Sequence, residues 1–418
     1  MPLLGLPIVS TAQEVQAARG VQLSASYRGL FAVSVLRRLA IADVCARLPQ
    51  GMVSITLLLV AAEHASMTVA GLVVAGYTLG QAVTAPLRGR LADRRGLVPV
   101  AAPCALGYAL ALLALLAGSL AGGPARLLIG AAAVAGLLNP PLSPGMRNLW
   151  SMHAGARLKQ TAFALDAAVF DLAYITGPLL AGVLATGIAP AAAVAVLLAL
   201  TGAAVVTIGT HSGRPRPALQ KRFLLDPLRS AALRDLLVTA ALTNAALSAT
   251  EVALIAYARH HHALWASGPL LAGISIGSIL GSLLLGARVS TTSPAGRLPR
   301  LLTGYTIGLV ALTAAGLYAP LLAVAAPLAG LCLGPTLATL FGAAASAAPR
   351  GGGTETQAWI NSIMNGGAAG GATLAGLAAG RPVFALGLAA ATAAAAALSA
   401  ALASQRDGLG TRTTARSG

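Results

Sequence analysis

Gly89-Arg90-Leu91-Ala92-Asp93-Arg94-Arg95-Gly96 is the stretch on which the reading of this chain turns. It packs four charges into eight residues of a protein that is 57% hydrophobic and only 9% charged, and long apolar stretches flank it on both sides. Glycines at its ends allow close backbone approach. Asp93 is suited to accept from a helix N-terminus, and the arginines belong on the cytoplasmic side of a bilayer. The expectation is a tight cytoplasmic turn joining two membrane helices.

Composition supports that reading along the whole chain. A soluble domain of 418 residues needs far more charge to cover its surface, and the mean hydropathy here is +0.80. The 48 glycines and 23 prolines would break soluble helices but suit packed membrane helices. The net charge of +17 does not indicate nucleic acid, because the basic residues recur in short clusters between apolar spans and form no continuous patch. Cys45, Cys104 and Cys332 all fall inside apolar stretches and read as small core residues, not as a disulfide framework. Met1–Ser10 is apolar but lacks a basic leader, so a cytoplasmic tail is expected there instead of a secretory signal.

Crossing about 30 Å of hydrocarbon takes about 20 apolar residues. Twelve such spans are expected, at 39–61, 67–88, 97–119, 127–149, 161–186, 188–210, 236–258, 265–287, 299–319, 321–347, 356–379 and 383–404. Their connections alternate sharply in charge. Arg88, Arg90, Arg94 and Arg95 share one side with Arg147, Arg157, Lys159 and the basic run of His211–Arg234, whereas the opposite side holds Arg126, Arg259 and Arg381. The positive-inside rule then puts both termini in the cytoplasm, which requires an even number of spans. The expected organisation is a cytoplasmic tail over 1–38, a six-helix bundle over 39–210, a cytoplasmic linker over 211–235, a second bundle over 236–404 and a tail over 405–418. Internal symmetry points the same way: Asp166 precedes Gly177 by eleven residues, Glu355 precedes Gly366 by eleven, and Gly182 and Gly371 keep the same offset.

Gly89, Leu91, Asp93, Arg94 and Gly96 fit a Gly-x-Leu-x-Asp-Arg-x-Gly pattern that resembles the signature between the second and third helices of major facilitator superfamily transporters. Leu97 and Val98 stand where a basic pair usually follows. The stretch Tyr174-Ile175-Thr176-Gly177-Pro178-Leu179-Leu180-Ala181-Gly182 resembles the Gly-Pro-x-x-Gly-Gly signature of the superfamily's proton-coupled antiporters, with Ala173 and Ala181 replacing two of its glycines. The resemblance implies an all-α membrane protein of twelve transmembrane helices in two pseudo-symmetric six-helix bundles. It also implies a conformational role for the Gly89–Gly96 loop and, at Gly177, Pro178 and Gly182, a kinked seam against the opposite bundle.

Charges within spans are costly and therefore informative. Arg47 lies roughly 12 Å into span one, one turn after Asp43. It either forms a local pair with Asp43 or points into a central cavity toward an acid on span five. Span five supplies Asp166 and Asp171, about 140° apart around the helix. Asp171, near the midplane, is the first candidate for proton coupling or substrate contact. Asp166 reads as structural, toward Arg147 or the Gly89–Gly96 loop, with Glu355 its counterpart in the second bundle. Glu251 in span seven is either a second titratable site or a polar contact to Arg259 or the outer aqueous vestibule, and Asn244 suits a cavity wall. Asn139-Pro140-Pro141 must interrupt span four near its cytoplasmic end.

No glycine-rich phosphate loop ending in lysine occurs, so no ATP site is expected. His260-His261-His262 is poorly spaced to converge on a metal. No catalytic constellation stands out, so no enzyme, cofactor or metal is expected. The function expected is secondary transport by alternating access, in the form of proton-coupled export of a small organic molecule or drug by a monomer in the plasma (inner) membrane. Solute import, by uniport or proton symport, is the alternative. A lipid-processing membrane enzyme would need a polar catalytic cluster at one interface.

Overall fold

A run of twenty alanines, leucines and valines in hydrocarbon can satisfy its backbone only from within, so it coils into a helix. The computed structural model describes residues 27–209, 230–287, 294–349 and 351–414, and every described element is helical. In chain order these are α1 Ser34–Ala62, α2 Met67–Arg95, α3 Leu97–Leu120, α4 Ala125–Leu137, α5 Leu142–His153, α6 Gly155–Gly187 and α7 Pro190–Gly209. There follow α8 Ala231–His260, α9 Ser267–Ala287, α10 Pro294–Ala315, α11 Leu322–Gly330, α12 Leu333–Ala347, α13 Gly353–Leu377 and α14 Pro382–Thr414. Most of the expected linker, 211–235, falls outside the described residues, as does most of the expected tail over 1–38.

Two spans are broken helices. Asn139, Pro140 and Pro141 divide α4 from α5, and the break lies near the middle of Ala125–His153, not near its end as the sequence suggested. Pro140 and Pro141 have no backbone N–H to give, so the ladder stops where they stand. Span ten repeats the interruption between α11 and α12 at Leu331 and Cys332. With each broken pair counted once, the helices make twelve spans. Eleven are long and apolar enough to cross a membrane among the described residues. The twelfth, α13, has 25 residues and buries its polar first turns, with Thr354, Glu355, Thr356 and Gln357 all packed inward.

Glycine seams hold the spans together. A Cβ on Gly51 of α1 would strike the α6 backbone at Ala173, and one on Gly177 would strike Gly51 in return. The same step along the chain carries Gly51 to Ala241 and Gly177 to Gly367, and those two meet between α8 and α13. Gly80 against Ala133 and Gly136 against Tyr77 (α2 with α4) recur as Gly277 against Pro327 and Gly330 against Ile274 (α9 with α11). Two pseudo-symmetric six-helix bundles therefore share one packing scheme.

Two expectations change here. The Gly177–Pro178 seam faces α1 within its own bundle instead of the opposite bundle, because glycine is needed where backbones touch and Gly177 touches Gly51. Gly182 is not at a seam, since a Cβ there meets nothing within 4 Å. Gly366 is equally open, and its neighbour Gly367 makes the close contact. Replacing Gly51 or Gly367 by Val is expected to force the helices apart at a cost of about 1–3 kcal/mol. Thermal unfolding of the purified protein would register this as a lowered midpoint, while Gly182→Val should leave it unchanged.

The expected loop Gly89–Gly96 is also corrected. α2 remains helical through Arg95, and the chain reverses at Gly96 alone, whose φ of 99° suits a residue without a Cβ. At the far terminus, α14 stays helical to Thr414, past the expected end at 404.

Candidate functional site

A cavity of about 780 Å³ lies between the two bundles. Its walls run from Gly268 and Pro269, at the start of α9, to Arg88 and Phe341, deep toward the end of the bundle where α2 turns into α3. That end carries Arg95, Arg157 and Arg300 and is the basic end of the molecule. Asp171, Glu251 and Asn244 all line the cavity. The Asp171 carboxylate accepts a hydrogen bond from Ser278 of the opposite bundle, across the α6–α9 contact. Glu251 is exposed to the cavity and has no ion-pair or hydrogen-bond partner among the described residues. Asn244 donates to the Met364 carbonyl at 2.8 Å, which joins α8 to α13.

Behind the cavity wall lies a buried charge cluster. Arg47 pairs with Asp43 at 3.2 Å and also with Asp166, and it donates to Ser143. Arg147 pairs with the second oxygen of Asp166 at 3.1 Å. The Trp150 indole donates to Asp43 at 3.2 Å. Two arginines and two aspartates make the cluster neutral, which is what allows four ionised groups to be buried together. The two expected acid partners of Arg47 are thus engaged at once, Asp43 on its own helix and Asp166 on span five, but the expected placement in the cavity is not found. Arg47 does not line the cavity, because Asp43 and Asp166 hold it in the cluster. Arg147 extends the cluster across the bundles: it donates to Asn361 of α13 at 2.7 Å and stacks on Phe341 of α12, 3.2 Å from the ring centroid.

The basic end is closed by contacts between the bundles. Asp93 accepts from two successive backbone amides at the start of α13, Thr354 at 3.0 Å and Glu355 at 2.8 Å. The N-cap residue of α13, Gly352, has no side chain to do this, so Asp93 caps a helix of the other bundle. Gly89 makes the approach possible, since a Cβ there would lie 2.8 Å from Ala358, 2.9 Å from the Thr354 carbonyl and 3.0 Å from the Glu355 Cα. Nearby, Asn148 donates to Thr354 at 3.1 Å, and Thr161 donates to the Gly286 carbonyl at 2.6 Å.

Comparison with known proteins agrees with this architecture. The family model described as Major Facilitator Superfamily matches residues 39–372. The chain belongs to the major facilitator superfamily. Superfamily proteins are membrane transporters and not enzymes, and this chain is accordingly a multi-pass membrane transporter. No curated protein matches its sequence. Among solved structures it is similar to the human organic anion transporter MFSD10, with a TM-score of 0.71 and 16% identity over 87% of this chain and 99% of that one. A bacterial homologue of the iron transporter ferroportin, in an outward-facing state with soaked iron, gives 0.73 and 14% over 88% and 98%. The E. coli fucose:proton symporter FucP gives 0.70 and 13% over 90% and 99%. At such identities the likeness is one of fold.

Within the superfamily frame, the signature residues divide by role. Gly89 and Asp93 face the second bundle, Leu91 packs beside Ala92 and Leu97 in an apolar cluster of the first, and Gly96 makes the turn. Arg94 lies on the outer surface of the same turn. Glu355 contributes its backbone amide to Asp93. Asp93→Asn replaces an anionic acceptor with a neutral one, at an expected loss of about 1–2 kcal/mol. The balance between open and closed basic end should move by roughly 5- to 30-fold. Spin-label distances across that end would show the shift, with ligand affinity in the closed state unchanged.

Arg88 and Ser278 went unrecognised in the sequence. Arg88 adjoins Arg90, Arg94 and Arg95 and reads as one more surface charge when the segment is taken as a loop. Once α2 is helical through Arg95, Gln81, Ala85 and Arg88 share the face that lines the cavity.

Proposed function

We propose that this protein is a proton-coupled secondary transporter that exports a small organic molecule from the cytoplasm by alternating access. The observation that carries the reading is the pair of cavity carboxylates, Asp171 and Glu251, neither of which has a basic partner among the described residues. An uncompensated carboxylate at membrane depth is costly and marks a proton or ligand pathway. The basic end is taken as cytoplasmic by the positive-inside rule. The described conformation is then closed to the cytoplasm, with its cavity turned outward.

Protonation gives the cycle a switch. Ionised Asp171 holds the Ser278 hydroxyl of α9, a bond that ties the two bundles midway along the α6–α9 contact. Uptake of a proton weakens that acceptor and alters the relative stability of the two conformations. Export is favoured by the likeness of Tyr174–Gly182 to the antiporter signature. That one structural neighbour is a proton symporter and another an organic anion transporter accords with coupled transport of a small solute.

A growth panel tests the direction. Cells expressing the protein should tolerate at least one toxic small organic compound better than cells without it, and dissipating the proton gradient should remove the difference. Increased sensitivity, with accumulation of the compound inside the cells, would show import instead.

A further inference from the structure

Arg88 is buried, with only 7% of its surface exposed, and one of its nitrogens, Nη2, donates to the Gln81 carbonyl at 3.0 Å. Its Nε and Nη1 are enclosed and have no hydrogen-bond partner among the described residues, and no carboxylate pairs with it. The other two arginines buried at this level, Arg47 and Arg147, are matched by Asp43 and Asp166. A guanidinium placed out of water without an anion is expensive to maintain in a membrane protein. Its fork of donors is shaped for a carboxylate, phosphate or sulfonate. Because Arg88 lines the cavity, an anion can reach it.

The same cavity holds the opposite imbalance. Glu251 stands on its α8 wall, exposed and unpaired among the described residues, with Ser248 one turn away on the same face. Arg88 lies toward the closed, basic end, whereas Glu251 belongs to the other bundle. The cavity therefore presents one cation without an anion, Arg88, and facing it Glu251, a carboxylate with no partner among the described residues; Asp171, the other carboxylate without a basic partner, is held by the Ser278 hydroxyl.

We propose that the transported molecule is zwitterionic, with Arg88 holding its anionic group and Glu251 its cationic group. This rests on the transport reading above and assigns that reading a substrate class. It also supplies a reason for exchange with protons. An ionised Glu251 attracts the cationic group, and a proton on Glu251 removes that attraction, so proton and substrate compete for one carboxylate.

Charged thiol reagents test the assignment without knowledge of the substrate. In a background with Cys45, Cys104 and Cys332 replaced by Ser, Ala85→Cys places a thiol one turn from Arg88, and Ser248→Cys places one a turn from Glu251. Each variant, purified and reconstituted in nanodiscs, is labelled at alkaline pH with an anionic sulfonatoethyl or a cationic trimethylammonioethyl methanethiosulfonate. At Ala85→Cys the anionic reagent should react faster, and Arg88→Gln should reduce that preference roughly tenfold, as expected for loss of a focusing charge in a cleft. Arg88→Lys should retain most of it. At Ser248→Cys the cationic reagent should react faster, and Glu251→Gln should abolish the preference. Millimolar benzenesulfonate should slow labelling of Ala85→Cys only when Arg88 is present. The same preferred reagent at both positions, or preferences unmoved by the neutralising substitutions, would overturn the zwitterion assignment while leaving an accessible cavity. Failure of both reagents to label both positions would overturn the open cavity itself, and both proposals with it.

Discussion

Asp166→Asn is expected to destabilise the protein by about 3–5 kcal/mol, the range for removing one partner from a buried ion pair. Asp166 is fully buried and accepts from two arginines that are themselves 1% exposed or less. Without its charge, Arg47 and Arg147 have only Asp43 between them, and the cluster carries an uncompensated positive charge with no water to disperse it. Arg147 should respond first, since Asp166 is its only carboxylate partner among the described residues. Neutrality can be restored: adding Arg147→Met to Asp166→Asn should recover much of the loss, because the remaining Arg47–Asp43 pair is balanced. Thermal unfolding of the single and double variants would measure this. A single variant within 1 kcal/mol of the parent, or a double variant no better than the single, would mean that charge balance does not hold the cluster together.

The second large effect is on coupling. With one proton exchanged per molecule, a pH gradient of one unit sustains about a tenfold concentration ratio. Asp171→Asn and Glu251→Gln are each expected to collapse that ratio toward one in proteoliposomes; counterflow without a gradient should continue in Asp171→Asn and weaken in Glu251→Gln, which also loses its hold on the substrate's cationic group. Asparagine can still accept from Ser278, so Asp171→Asn should preserve the α6–α9 contact and lose only the proton. The rate should also lose its pH dependence. Undiminished accumulation by both variants would exclude these carboxylates as the coupling groups.

Much of the fold was legible because hydrocarbon allows so few solutions. Span lengths, charge alternation and the Gly89–Gly96 signature sufficed for twelve helices and for the reversal between α2 and α3. Helix faces were harder to read. Gly177 was expected at the opposite bundle, yet which face of α6 meets α1 depends on the position of Gly51, and no local signal in either segment reveals that partner. Arg47 was visible as an intramembrane charge, and both acids that hold it were visible too. What hid its place behind the wall was that Asp43 and Asp166 act together instead of as alternatives. Arg88 was obscured by its neighbours. A helical reading of the charged octet would have set it apart from Arg90 and Arg94 by the face it occupies, and from Arg95 by its depth, two turns further from the end of α2.

The central claim is that protonation of the cavity carboxylates governs which end of the transporter is open. It is tested most directly by paired spin-label distances in nanodiscs, with one pair at His153 and Ala347 on the basic end and another at Glu63 and His260 on the opposite end. All four positions are exposed. On acidification the two distances should change in opposite senses, and the response should vanish in the Asp171→Asn/Glu251→Gln double variant. Distances that rise or fall together, or a pH response that survives in the double variant, would contradict the claim.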